Sequence, residues 1–139
     1  MQVKMKTGAT VEVPDAHFIT IPEGLFGFET YTRYAIVESG IEPFLWLQST
    51  EDSALAFLIV DPFLACAEYE ADIDDESLKK IGVTSPEDIV VMSVVTIPGD
   101  GTAVTANLLG PLVINRANNR CVQVVLSDSR WTTKFPLGA

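Results

Sequence analysis

A chain of 139 residues, 47% of them hydrophobic, holds enough apolar material for one core, and its 19 acidic and 9 basic side chains leave a formal net charge of −10. That charge argues against direct contact with nucleic acid, which needs neutralised phosphates, and no apolar run is long enough to cross a bilayer. The opening M-Q-V-K-M-K has no hydrophobic signal core, so a single domain over residues 1–139, resident in the cytoplasm, is expected.

Short β-rich runs alternate with turn signals along the chain, at the spacing of an all-β sandwich or barrel. Residues 3–6 and 11–13 flank Thr7-Gly8 as a first hairpin. Residues 18–21 run into the turn Pro22-Glu23-Gly24, and Gly24-Leu25-Phe26-Gly27-Phe28 suggests a backbone bend under two aromatic anchors. Residues 34–37 and 44–48 are the next strands. In the second of these, Trp46 alternates with Leu45 and Leu47 and reads as core packing. The run A-L-A-F-L-I-V over residues 54–60 is apolar throughout, as expected where both faces are covered, and Asp61-Pro62 stops it.

Residues 68–73 alternate Glu, Tyr, Glu, Ala, Asp, Ile. Read as a strand, period two puts Glu68, Glu70 and Asp72 on one face, backed by Tyr69, Ala71 and Ile73. A short helix over residues 74–81 follows, with Asp74 or Asp75 as its cap, Lys79 and Lys80 at its C-terminal end and Gly82 closing it. Ser85-Pro86-Glu87-Asp88 reads as one capped turn. Residues 89–97 are the longest strand candidate, ending at the turn Pro98-Gly99-Asp100-Gly101. Within residues 102–126, two β-branched runs flank Arg116-Ala117-Asn118-Asn119-Arg120, where paired Asn tolerate the positive φ of a hairpin. Asn107 and Asn115 lie inside strand-like sequence, either as edge amides for a partner's backbone or as partners of buried carbonyls. In the tail, Trp131, Phe135 and Leu137 close the barrel edge or offer it to another chain. The fold class is therefore mostly β: a small single-domain antiparallel β-barrel-like fold with one or two short helices.

Catalytic constellations are missing from the pattern. His17 is the single histidine and reads as a surface residue. No serine stands in a nucleophile elbow, and no phosphate-loop motif is present. Cys66 and Cys121 are too isolated for a disulfide framework or a zinc site and read as reduced packing residues. Asp72-Ile73-Asp74-Asp75-Glu76 lacks the glycine and spaced ligands of a calcium loop, so no metal or cofactor is expected. The alternative to a binding function is a carboxylate-based small-ligand or hydrolytic barrel, for which Asp61, after a buried run, is the odd carboxylate, although a turn-forming role explains it better.

The charge is unevenly placed. Residues 51–88 carry 11 acids and 2 bases, a net of −9 in the middle of the chain. Such a field suits a basic protein partner.

These residues together resemble the flagellar assembly factor family FliW, over about residues 18–137. The matching stretches include Ile21-Pro22-Glu23-Gly24-Leu25-Phe26-Gly27-Phe28-Glu29, Trp46-Leu47-Gln48-Ser49, Ala56-Phe57 with Asp61-Pro62, and Ser85-Pro86-Glu87-Asp88. Val95-Thr96-Ile97-Pro98, Thr105-Ala106-Asn107-Leu108, P-L-V-I-N over residues 111–115 and Q-V-V-L over residues 123–126 complete them; their order and spacing make the match specific. The tail departs from the pattern: Lys134-Phe135-Pro136-Leu137 stands where many relatives carry an Arg-His pair before Pro-Leu. The resemblance implies a non-enzymatic barrel, monomeric when free, that binds the translational repressor CsrA and the C-terminal region of flagellin. Export of flagellin would free the protein to bind CsrA outside its RNA-binding surface and release the flagellin messenger. On that reading Glu68, Glu70, Asp72, Asp74 and Asp75 are expected to form the acidic face of a CsrA contact. Ile97, Leu108 and Leu109 would be its apolar centre and Asn107 a polar contact. Phe26, Phe28, Trp131 and Phe135 are expected to receive an amphipathic flagellin helix.

Overall fold

The computed structural model describes residues 1–99 and 102–137. Strands β1 (Gln2–Lys4) and β2 (Thr10–Glu12) form the expected first hairpin. A 3-10 turn, Asp15–His17, leads into β3 (Phe18–Thr20), followed by β4 (Arg33–Glu38), β5 (Leu45–Ser49) and β6 (Ala56–Val60) as an antiparallel meander. Two short helices, α1 (Pro62–Ala65) and α2 (Asp75–Lys80), interrupt the strands before β7 (Ile89–Thr96). Then come β8 (Thr105–Ala106), β9 (Leu112–Asn115), β10 (Arg120–Gln123) and β11 (Phe135–Pro136).

Pairing closes seven of these strands into a barrel. The meander β3 to β6 pairs on to β7, the first half of β7 pairs with β9, and β9 pairs with β10. One parallel contact, Arg120 opposite Thr20, joins β10 back to β3. The barrel is thus antiparallel except at its closure. The second half of β7 instead pairs with β8, which carries β11.

Register explains why the strand sequences are apolar on both faces. Ile19 faces Tyr34, Leu47 faces Phe57, Ile59 faces Val94 and Ile114 faces Cys121, and these residues fill the interior. The neighbouring positions point outward and are also covered. Ala35 and Val37 lie under the β1–β2 hairpin with Val3, Met5 and Val13. Val60, Val95, Val113 and Val122 lie under the segment 62–85 and the tail. Each barrel wall is sandwiched, so period-two alternation disappears and the runs read as continuous.

Four features differ from the sequence reading. Residues 68–73 form no strand; they run as irregular chain between the two helices. Asp61-Pro62 does end β6, but it also starts α1, with the Asp61 carboxylate accepting from Phe63 N–H at 2.9 Å. The block 105–116 is split at Gly110-Pro111 into β8 and β9, because Pro111 cannot donate to a ladder. The barrel closure is parallel. Asp100 and Gly101 of the expected turn lie outside the described residues.

Turn chemistry follows the sequence elsewhere. Asn119 has φ +57 at the β9–β10 turn. Gly24, at φ +68, bends the loop between β3 and β4 so tightly that a Cβ there would meet the Glu29 backbone at 2.5 Å.

Candidate protein-binding surfaces

The acidic segment is held by its apolar half. Tyr69 is buried, donates its hydroxyl to the Leu108 carbonyl at 2.7 Å, and packs edge-on against Trp131 with centroids 4.9 Å apart. Ala71 and Ile73 pack on the same cluster. Glu68, Glu70 and Asp72 therefore project outward with the alternation expected of a strand, although tertiary packing and not a ladder enforces it. Asp74 caps α2, accepting from Ser77 N–H at 3.1 Å and Ser77 Oγ at 2.6 Å, bonds that hold its carboxyl below the ordinary range. Asp75 is exposed in the first turn.

Among the described residues Arg130 is the base that forms an ion pair with this ridge, and the charge of Lys80 also acts on Asp74. Arg130 Nη2 lies 3.5 Å from Glu70 but 2.7 Å from Asp128, its main partner. Among the described residues Glu68, Asp72 and Asp75 take part in no ion pair, so most of the negative field is unneutralised.

The expected apolar centre needs correction. Leu108 is 0% exposed and belongs to the core under residues 62–85, so it cannot meet a partner. Leu109 is half-buried against the same cluster; Ile97 is well exposed. Asn107 accepts from Gly110 N–H at 2.8 Å, and its own N–H goes to the Val94 carbonyl. Asn115 is buried and donates to the Ile81 carbonyl at 2.9 Å while accepting from Ala117 N–H. Both amides thus serve internal turns.

Sequence reasoning missed the residues that do project beside the acids. Helix α1 presents Phe63 (47% exposed) and Leu64 (64% exposed) to solvent, and the Phe63 ring lies 5.7 Å from that of Tyr69. The available signal was Asp-Pro followed by Phe-Leu: a capped, proline-started turn has too few residues to bury both side chains that follow.

The four aromatics assigned to a second surface separate into two pairs. Phe26 (55% exposed) and Phe28 sit in the loop between β3 and β4. Gln123 accepts from Phe26 N–H at 2.9 Å and donates to the Gly110 carbonyl, and Phe28 packs edge-on against Phe57 at 5.2 Å. Trp131 is 6% exposed, with Nε1 donating to the Glu70 carbonyl at 3.0 Å, and Phe135 is half-buried in β11 on the same cluster. Trp131 is therefore a core residue, and its ring holds the acidic ridge in place instead of receiving a partner.

Asp61 is a helix cap, and it is not among the residues that line a groove of about 470 Å³ bounded by Val13, Ile36 and Leu45. Cys66 and Cys121 are free, and burial pushes the Cys121 thiol up to about 12. Among the described residues no group of three or more His, Cys, Asp or Glu is placed to hold a metal ion, and no helix is long and apolar enough to cross a membrane.

The class defined by this architecture is a small closed β-barrel with a side-chain-filled interior. The family model described as FliW protein matches residues 2–137. Flagellar assembly factor FliW of Treponema denticola is 48% identical over 137 residues, covering 99% of this chain and 93% of the relative. That of Treponema pallidum is 45% identical over 139 residues, covering 100% and 93%. A crystal structure of the flagellar assembly factor FliW superposes with a TM-score of 0.89 at 27% identity, covering 100% of this chain and 98% of the other. The chain belongs to the FliW family of flagellar assembly factors.

Proposed function

We propose that this chain acts by partner exchange and catalyses no reaction: it binds CsrA through the surface made by α1 and the acidic ridge, and the C-terminal region of flagellin through the Phe26–Phe28 loop. The observation that carries the reading is the juxtaposition of exposed Phe63 and Leu64 with Glu68, Glu70, Asp72, Asp74 and Asp75, all exposed. Apolar anchors supply most of an interface's affinity, whereas rim charges set approach rate and register. A basic RNA-binding protein docked there would meet a field that also repels phosphates within a screening length of about 8 Å at physiological salt. RNA release by nearby charge follows without a shared binding site. The proposed protein works in the cytoplasm as a monomer until a partner docks, and it touches neither nucleic acid nor membrane.

Two variants test the surface against purified CsrA, by titration calorimetry for affinity and by stopped-flow mixing for the association rate. Leu64→Asp is expected to weaken binding roughly tenfold or more, as loss of an interface anchor does. Glu70→Lys should lower the association rate and flatten its salt dependence, and should reduce displacement of a fluorescent flagellin-leader RNA. Wild-type affinity and RNA displacement in both variants would move the CsrA contact elsewhere. For flagellin, amide shifts on adding a C-terminal peptide are expected in the loop 24–29, and shifts confined to residues 63–75 would show that one surface serves both partners.

A further inference from the structure

Strand β4 runs further than the strand beside it. β3 begins at Phe18, opposite Ala35, whereas β4 continues to Glu38. Residues 15–17, which would have extended β3, turn away as a 3-10 turn, with His17 N–H bonded to the Pro14 carbonyl. Register fixes what this leaves open. Thr50 N–H donates to the Arg33 carbonyl and Ile21 N–H to the Thr32 carbonyl. Along β4, odd-numbered residues therefore direct their backbone groups to β5, and even-numbered ones to the β3 side. Glu38 N–H and C=O point to the side where β3 has ended, and no hydrogen bond to them is found among the described residues.

A groove opens at this exposed edge. It holds about 470 Å³ and is lined on the apolar side by Val13, Pro14, Ile36, Val37 and Leu45. A second hollow of about 330 Å³ continues it past Glu38 and Leu45 to Glu42 and Phe44. The titratable side chains lining the two are Glu12, His17, Glu38 and Glu42. Glu12 is engaged by the N-terminal ammonium at 2.8 Å; Glu38 and Glu42 are in no ion pair among the described residues. No lysine or arginine lines either hollow.

We propose that this groove is a docking site for an extended peptide that adds a strand to the free end of β4, with alternating apolar side chains entering the groove and a lysine or arginine meeting Glu38 and Glu42. Each part of the site specifies part of the ligand. The open backbone pair at Glu38 requires an extended chain. The apolar lining takes alternate side chains, because successive residues of a strand face opposite ways. The unpaired carboxylates select a cation. The site shares no residue with either surface assigned above, so its failure and theirs are separable.

The test titrates isotope-labelled protein with a capped octapeptide of alternating valine and threonine bearing a lysine at each end. Its glutamate-ended counterpart and a lysine-ended version N-methylated at alternate residues serve as comparisons. The lysine-ended peptide is expected to shift the amides of Val37, Glu38 and Ser39, and to bind roughly tenfold tighter than the glutamate-ended one at low salt. N-methylation should abolish binding, and Glu38→Lys, whose cation is balanced by Glu42, should remove most of the preference between the two charged ends. Shifts elsewhere only, no binding, equal affinity for the two charged peptides, or undiminished binding of the N-methylated peptide would each overturn the proposal.

Discussion

Tyr34 shows how far a single residue's role escapes sequence. Alternation places it on the inward face of β4, and it is fully buried there, but its hydroxyl has no hydrogen-bond partner. Burial, with Glu51 nearby, pushes its pKa up to about 12. An unsatisfied buried hydroxyl is destabilising by roughly 1–3 kcal/mol, so Tyr34→Phe is expected to raise stability by about 1 kcal/mol in urea denaturation at unchanged m-value; a loss of stability would mean that the hydroxyl is bonded through water. Leu108, Trp131, Phe63 and Leu64 carry the same lesson about surfaces. Hydrophobicity and period gave no way to sort two core residues from two exposed ones. That sorting depends on which segment folds over the β7–β9 wall.

At the scale of elements, strands, turns and the α2 cap were legible because each has a local cause: β-branched runs, Asn and Gly at positive φ, Asp74 before a helix. The segment 68–73 has the alternation of a strand in its sequence, but it pairs with no strand in the fold. Its side chains alternate because Tyr69, Ala71 and Ile73 pack down on the barrel. The barrel's closure was not legible either, since a parallel contact between β3 and β10 joins residues 100 positions apart. At its C-terminal end the 62–85 excursion is tied to the barrel by Asn115, which with Asn118 donates to the Ile81 carbonyl just past α2. Asn115→Ala removes that bond and the one to Ala117 N–H, and should destabilise by about 2 kcal/mol. Hydrogen exchange should rise first in residues 75–85. Uniform acceleration across the barrel would show that the amide serves the sheet and not the excursion.

The whole molecule is set against its own charge, and acid tests how. Glu51 accepts from the N–H groups of Thr32 and Arg33, so its carboxyl lies below its ordinary 4.5 and ties the start of β4 to the β5–β6 turn. Asp74 and Asp128 are likewise held below 3.8, by bonds from Ser77 and from Arg130. A depressed folded pKa means that the unfolded chain takes up protons first. The stability from these groups is complete above about pH 4.5 and is lost as pH falls through each folded value. Protonation also relieves the repulsion of a net charge of −10, which acts the other way. The specific bonds are local and short, whereas the excess charge is spread over exposed side chains and screened by salt. The urea midpoint is therefore expected to fall as the pH drops below about 4.5, and the fall should be shallower in Glu51→Gln, whose uncharged amide has no proton to take up there. A midpoint that rose on acidification at 0.15 M salt would mean that self-repulsion, not the carboxylate bonds, dominates the acid limb, and would make the acidic ridge a burden on the fold as well as a surface for partners.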